Sequence, residues 1–149
     1  MSRFRYRMQN ILDVKSKLEE QAKLEFALAN RALQEEEEKL EILKQRKQAY
    51  KDEIVRLLQE TLQLDRIKKN EQASKTMDEL IAVQLLQVRA AERKVEISRT
   101  KLQAVMQERK THEKLREHAF DEFMQEENAK ESKEIDELTS YRYGQKEQE

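Results

Sequence analysis

Residues 22–64 read AKLEFALANRALQEEEEKLEILKQRKQAYKDEIVRLLQETLQL, and the spacing of the apolar residues in this stretch decides the fold. Stepping alternately four and three residues from Ala22 gives Phe26, Ala29, Leu33, Glu36, Leu40, Leu43, Lys47, Tyr50, Ile54, Leu57, Thr61 and Leu64. Ten of these thirteen positions are apolar. A helix that repeats its face about every 3.5 residues presents a continuous seam to a partner helix, which is the heptad pattern of a coiled coil. Just upstream, Leu18, Ala22 and Phe26 lie four apart twice in succession, a stutter that locally unwinds a supercoil.

Downstream the seam lapses through Lys68, Lys69, Asn70, Glu71, Gln72 and Ser74. Thr76-Met77-Asp78-Glu79 then supplies a capping box at which a second helix can begin. A second seam follows in Ile81, Gln84, Val88, Ala91, Val95, Ser98, Leu102, Val105, Arg109, His112, Arg116, Ala119 and Phe123. Folding the second segment back so that partners' numbers sum to 145 matches Leu57 with Val88, Tyr50 with Val95 and Leu43 with Leu102. The polar positions coincide as well: Thr61 with Gln84, Lys47 with Ser98 and Glu36 with Arg109. The expected fold is all-α, a long antiparallel two-helix coiled-coil hairpin in a single domain over residues 1–149. Helix one is expected at about 3–66, the turn at about 67–75, helix two at about 76–140 and a flexible tail at 141–149. The competing architecture is one unbroken helix that dimerises along its length, since no Gly or Pro enforces the turn.

Composition agrees with this and narrows the function. With no Pro, no Trp and only Gly144, the chain lacks the turn-formers that a globular domain of 149 residues would use. Disorder is disfavoured, although 41% of residues are charged, because disordered chains lack regularly spaced Leu, Ile and Phe. Thirty basic residues against thirty-one acidic ones leave a net charge of −1, so no global field draws the chain to nucleic acid or to an anionic membrane. Leu80-Ile81-Ala82-Val83 is the longest apolar run, far short of a membrane span, and Arg3, Arg5 and Arg7 lead into no signal-peptide core. The expectation is a soluble chain without a cleaved leader. The absence of Cys excludes disulfides and thiolate metal sites.

No constellation of catalytic residues emerges. His112 and His118 are six residues apart, about 120° around a helix, and cannot share a metal. His112-Glu113-Lys114-Leu115-Arg116 begins like the zinc-protease helix motif but has Arg116 where the second ligand belongs, so His112 reads as a polar seam residue opposite Leu33. A two-helix hairpin has almost no interior in which carboxylates could be desolvated, and no phosphate-binding glycine loop is present. The expectation is therefore no enzyme and no cofactor. Surplus apolar residues are more informative. Val55, Leu58 and Leu62 on the first helix, with Val83, Leu85 and Leu86 on the second, exceed what a two-stranded seam covers and suggest a docking patch towards the tip. Phe120, Phe123 and Met124 suggest another at the opposite end. There the arm Arg3-Phe4-Arg5-Tyr6-Arg7 interleaves aromatics with cations and suits an acidic protein better than nucleic acid.

Phe4-Arg5-Tyr6-Arg7-Met8-Gln9-Asn10-Ile11-Leu12 at one end resembles the FliJ family of the bacterial flagellar type III export apparatus. So does the stretch from Leu115-Arg116-Glu117 through Phe123 to Lys133-Glu134-Ile135-Asp136-Glu137-Leu138 at the other, together with the Glu-rich stretch before Leu40. The resemblance implies a non-catalytic cytoplasmic protein at the periphery of the membrane-embedded export apparatus. Its paired termini would enter the flagellar export ATPase hexamer like a rotary-ATPase stalk and promote its assembly. The hairpin would also contact the cytoplasmic domain of the export gate protein and export chaperones. Carried onto this chain, the ATPase end would be Arg5, Arg7, Met8, Ile11 and Leu12 with Lys133, Asp136, Glu137 and Leu138. The gate surface would include Leu43 and Tyr50, which also lie on the seam. A stalk subunit of a rotary ATPase or a general coiled-coil scaffold is the alternative that periodicity leaves open.

Overall fold

The computed structural model describes residues 2–60 and 63–147. Two helices account for nearly all of them, α1 over Gln9–Gln59 and α2 over Leu64–Glu147, and no strand occurs among the described residues. They pack as a helical hairpin. Two compact units divide it: Gln21–Gln103, which holds the turn, and Met1–Glu20 with Ala104–Glu149, which holds the chain ends.

In the turn-bearing unit, α1 turns inward at four-three spacing from Ala22 to Leu57. Ala22 and Leu57 are fully buried, and Leu33, Leu40, Leu43 and Ile54 are half-buried. The inward face of α2 keeps the same alternation through Ile67, Asn70, Ser74, Met77, Ile81, Gln84, Val88, Ala91, Val95 and Ser98. Burial of Leu57, Ile67, Val88, Ala91 and Val95 supplies most of the driving force, at about 25 cal/mol per Å² of apolar surface removed from water.

The break between the helices falls between Gln59 and Leu64, not at 67–75. Residues 67–75 look like a break because their inward positions are small and polar. Ser74 is nevertheless buried, and Asn70 donates its side-chain amide back to the Arg66 carbonyl at 2.9 Å. A polar residue that bonds its own helix can face a partner without leaving an unmet donor. The expected capping residue Thr76 does the same in mid-helix, its hydroxyl donating to the Gln72 carbonyl at 3.0 Å. The remaining boundaries shift accordingly: α1 begins at Gln9 rather than near residue 3, and α2 runs unbroken to Glu147, past the tail expected from 141.

No described residue has positive φ, and no glycine lies between Gln59 and Leu64. Charges flank the break between the helices. Arg56, in the last turn of α1, binds Glu53 one turn back and reaches over the helix end to Glu60 at 3.1 Å. Asp65 sits in the first turn of α2, where a carboxylate complements the helix dipole.

The register also differs from the expected one. In the turn-bearing unit the cross-hairpin partners are Glu36 with Gln84, Lys47 with Asp78, Glu25 with Lys101 and Phe26 with Arg99, whose numbers sum to 120–126 rather than 145. The shortfall is close to 21 residues, or three whole heptads. Every seam position still faces a seam position, which is why the expected pairing looked self-consistent. The expected pairs Glu36 with Arg109 and Lys47 with Ser98 are replaced by Glu36 with Gln84 and Lys47 with Asp78, while Thr61 lies outside the described residues.

Core and surface leucines beside the turn provide a test. Leu57→Ala should cost about 2–5 kcal/mol, because Leu57 is 2% exposed and its neighbours cannot close the gap. Leu58→Ala, at 59% exposure, should stay within about 0.5 kcal/mol. Urea melts followed by circular dichroism would measure both.

Candidate functional site

The unit of the chain ends is built around an ion pair rather than an apolar stutter. Its inward positions on α1 are Leu12, Lys15 and Glu19, again at three-four spacing. Glu19 is 5% exposed and binds Arg109, whereas Leu18, the expected seam residue, is 41% exposed. Arg109 also binds Glu113 on its own helix at 2.7 Å, and the hydrogen bonds to Glu113 and then Glu19 hold its pKa above the ordinary guanidinium value. Nearby, Lys15 reaches Glu108 at 2.8 Å, and that hydrogen bond keeps the Glu108 carboxyl below its usual range. Partner numbers here sum to 123–128, so His112 stands level with Leu12 instead of the expected Leu33, and its Nδ1 is buried without a hydrogen bond.

The arm before α1 is anchored by one aromatic ring. Phe4 packs edge-on against Phe120, with centroids 5.1 Å apart, and tilted against Phe123 at 5.4 Å, while the Arg116 guanidinium lies over its face at 5.8 Å. Arg116 also donates through Nε to the Gln9 side-chain oxygen at 3.0 Å, and the Gln9 amide bonds back to the Tyr6 carbonyl. These contacts fix a short non-helical segment from which Arg3, Arg5 and Arg7 all point into solvent. The sequence shows the alternation of aromatic and cationic residues in the arm and the surplus of phenylalanine near 120. Their contact depends on the register.

Because the arm ends level with Phe120, α2 continues alone. Every described residue from 128 to 147 is exposed, a stretch of twenty residues or about 30 Å of unaccompanied helix. It carries Ile135, Leu138 and Tyr141 at three-residue steps, each more than 60% exposed, among Glu131, Glu134, Asp136 and Glu137. Of the residues expected at the ATPase end, Arg5, Arg7, Met8, Ile11, Lys133, Asp136, Glu137 and Leu138 are exposed, whereas Leu12 is buried in the seam. The two groups do not form one patch, since Lys133 lies ten residues, about 15 Å of helix, beyond Phe123. Ile11, Val14 and Leu18 on α1 form an exposed apolar stripe at helical spacing that the expected site contained only through Ile11.

The expected tip surface is likewise divided. Val55 and Leu58 are exposed beside the turn, and Leu62 lies outside the described residues. Val83 and Leu86 are exposed too, but they begin some twenty residues, about 30 Å of helix, from the turn. Ile42, 49% exposed and level with Val83, accompanies them and was missed because it falls off the seam pattern. Leu43 and Tyr50 face α2 and are half-buried.

What the arrangement offers is surface. The concavities are shallow grooves along single helices, for example that lined by Glu134, Glu137 and Leu138, and among the described residues no group of three His, Asp or Glu side chains could hold a metal. No described helix is long and apolar enough to cross a membrane. Of the shifted carboxylates, Glu36, lowered first by the Gln84 hydrogen bond, and Glu108, by Lys15, belong to pairs that join the two helices, whereas Glu53, lowered by Arg56, belongs to a pair within α1.

These features define a helical hairpin protein whose described residues offer exposed surface along its helices. The chain belongs to the flagellar FliJ protein family, whose family model matches residues 4–148. It is thus a non-catalytic component associated with type III export. A solved structure of the Chlamydia trachomatis protein CT670, described as a YscO homolog, shares the fold at 20% identity with a TM-score of 0.64, and the match covers 99% of each chain. No curated protein matches the sequence.

Two predictions follow from this geometry. Phe4→Ala should release the arm, raising the rate of tryptic cleavage after Arg5 and Arg7 in a mass-spectrometric time course while leaving helix content unchanged. The depressed carboxyls also make stability depend on pH. Glu36 and Glu108 titrate below their ordinary 4.5 when folded, so their contribution is complete above that value and is lost as pH falls through the lower folded pKa. Melting temperature should therefore be flat from pH 7 to about 5 and drop below about 4.5, less so in Glu36→Gln.

Proposed function

We propose that this chain is a cytoplasmic stalk-like component of the flagellar type III export apparatus, at the periphery of its membrane-embedded part. It binds the export ATPase hexamer through the chain-end unit and promotes the hexamer's assembly. It reaches the export gate and export chaperones through the turn-bearing unit. The observation that carries this reading is the asymmetry of the chain-end unit. An exposed cationic arm, with Arg5, Arg7, Met8 and Ile11, is pinned at the level of Phe120, and a helix with no partner in this chain presents Lys133, Asp136, Glu137 and Leu138 beyond it. A lone helix of that length suits insertion into a ring, and an effector that binds the assembled ring better than its separate subunits shifts the equilibrium towards the ring. For the gate, exposed Val55, Leu58, Val83 and Leu86, together with Leu62, are the proposed contacts, and Leu43 and Tyr50 support them from the seam.

Pull-down with the export ATPase, and ring formation followed by size-exclusion chromatography, test the proposal. Deleting residues 130–149 should abolish stimulation of ring assembly without lowering the melting temperature, because the described residues of that stretch bury nothing. Arg5→Ala with Arg7→Ala should weaken capture about tenfold, as expected when two charge-assisted contacts are lost. Full stimulation by the truncated chain would refute the stalk reading. At the other site, Val83→Ala with Leu86→Ala should reduce gate binding at constant stability, whereas Leu43→Ala should lower both.

A further inference from the structure

The seam of the Gln21–Gln103 unit fits itself in two registers. In the observed one, where partner numbers sum to about 124, Leu57 is level with Ile67, Leu43 with Ile81 and Ala29 with Val95. Six other layers set a polar residue against an apolar or aromatic one: Ile54 with Asn70, Tyr50 with Ser74, Lys47 with Met77, Leu40 with Gln84, Glu36 with Val88 and Phe26 with Ser98. Sliding α2 by three heptads brings Leu64 level with Ile81, Leu57 with Val88, Ile54 with Ala91, Tyr50 with Val95 and Leu43 with Leu102. All five layers are apolar or aromatic on both sides, and polar Lys47 falls beside polar Ser98. The reversal would then occupy residues 67–75, where the start of α2 would unwind and Ile67 and Ser74 would leave the seam.

What opposes the slide lies in charge. Within the unit of the chain ends, the slid register sets Glu19 level with Glu126 and Lys15 with Lys130, replacing two opposite-charge pairs by two like-charge ones. It also forfeits the pairs Glu25 with Lys101 and Lys47 with Asp78, and it takes Phe4 off Phe120 and Phe123. Apolar matching in one unit and ion pairing in the other thus favour different registers of the same two helices.

We propose that the hairpin exchanges between these registers, the slid one zipping the apolar layers of the turn-bearing unit while the ends of the chain come apart and free the arm. Whole-heptad steps are the permitted ones, because any other slide turns the seam of one helix away from the other. The exchange is a property of the isolated hairpin and stands apart from the assignment of its partners. Salt biases it in a defined direction: the solvent-exposed pairs Lys15 with Glu108, Lys47 with Asp78 and Glu25 with Lys101 are screened, and the apolar layers are not.

The chain has no cysteine, so engineered disulfides can report the register in the full-length protein. Oxidised at low concentration, Leu43→Cys with Ile81→Cys should close rapidly within one chain. Leu43→Cys with Leu102→Cys should close more slowly, and faster as salt is raised. Leu43→Cys with Ile97→Cys sets the background, since Ile97 points outward at 69% exposure. Closure of the Leu43 and Leu102 pair no faster than this background at every salt concentration would overturn the proposal. Spin labels at exposed Gln45→Cys and Thr100→Cys avoid any change to the seam. Two distance populations are expected, one near the about 32 Å of axial offset in the observed register and one much shorter, whereas a single population at the long distance would overturn it.

Discussion

The rest of the structure depends on the register in which the two amphipathic faces meet. A heptad seam specifies which residues turn inward, but it is indifferent to sliding by seven. Apolar contact alone therefore leaves a family of hairpins of equal phase. The degeneracy is broken by charges placed on or beside the seam: Glu19 with Arg109, Lys15 with Glu108, Lys47 with Asp78 and Glu25 with Lys101. Of these, Glu19 with Arg109 is largely shielded from water, and the exposed pairs add little stability. Their weight lies in selecting one of several otherwise similar packings, because each alternative sets some of these groups against like charge.

Two polar residues at inward positions are satisfied within their own helix. Ser98 donates to the Val95 carbonyl at 2.8 Å and Asn70 to Arg66, so neither needs a partner across the interface. The outcome is an interface with small side chains at several layers, held by a modest number of large ones such as Leu57 and Val88. At the turn, where no glycine helps, Arg56 draws Glu53 and Glu60 together, and those two contacts raise its own pKa further.

The unit of the chain ends owes its character to a mismatch in length. α2 has 84 residues and α1 has 51, so with the break between Gln59 and Leu64 a long piece of α2 must outrun its partner. Phe4 marks the place where accompaniment ends, and beyond it the helix shows its full circumference.

Read by itself, the sequence determined the all-α hairpin, the inward positions from Ala22 to Leu57 and from Ile81 to Phe123, and the family. These follow from periodicity and from motifs at the two ends, which survive in a single dimension. Only the tertiary structure decided where the chain reverses, which seam residues are partners, that Glu19 rather than Leu18 is buried, and that Leu12 is hidden while Lys133 to Leu138 stand apart from the arm. The physical reason is one and the same. Periodicity fixes the phase of a helix face, whereas register and turn depend on the summed energies of pairs distant in sequence, and a slide of three heptads leaves every local signal unchanged.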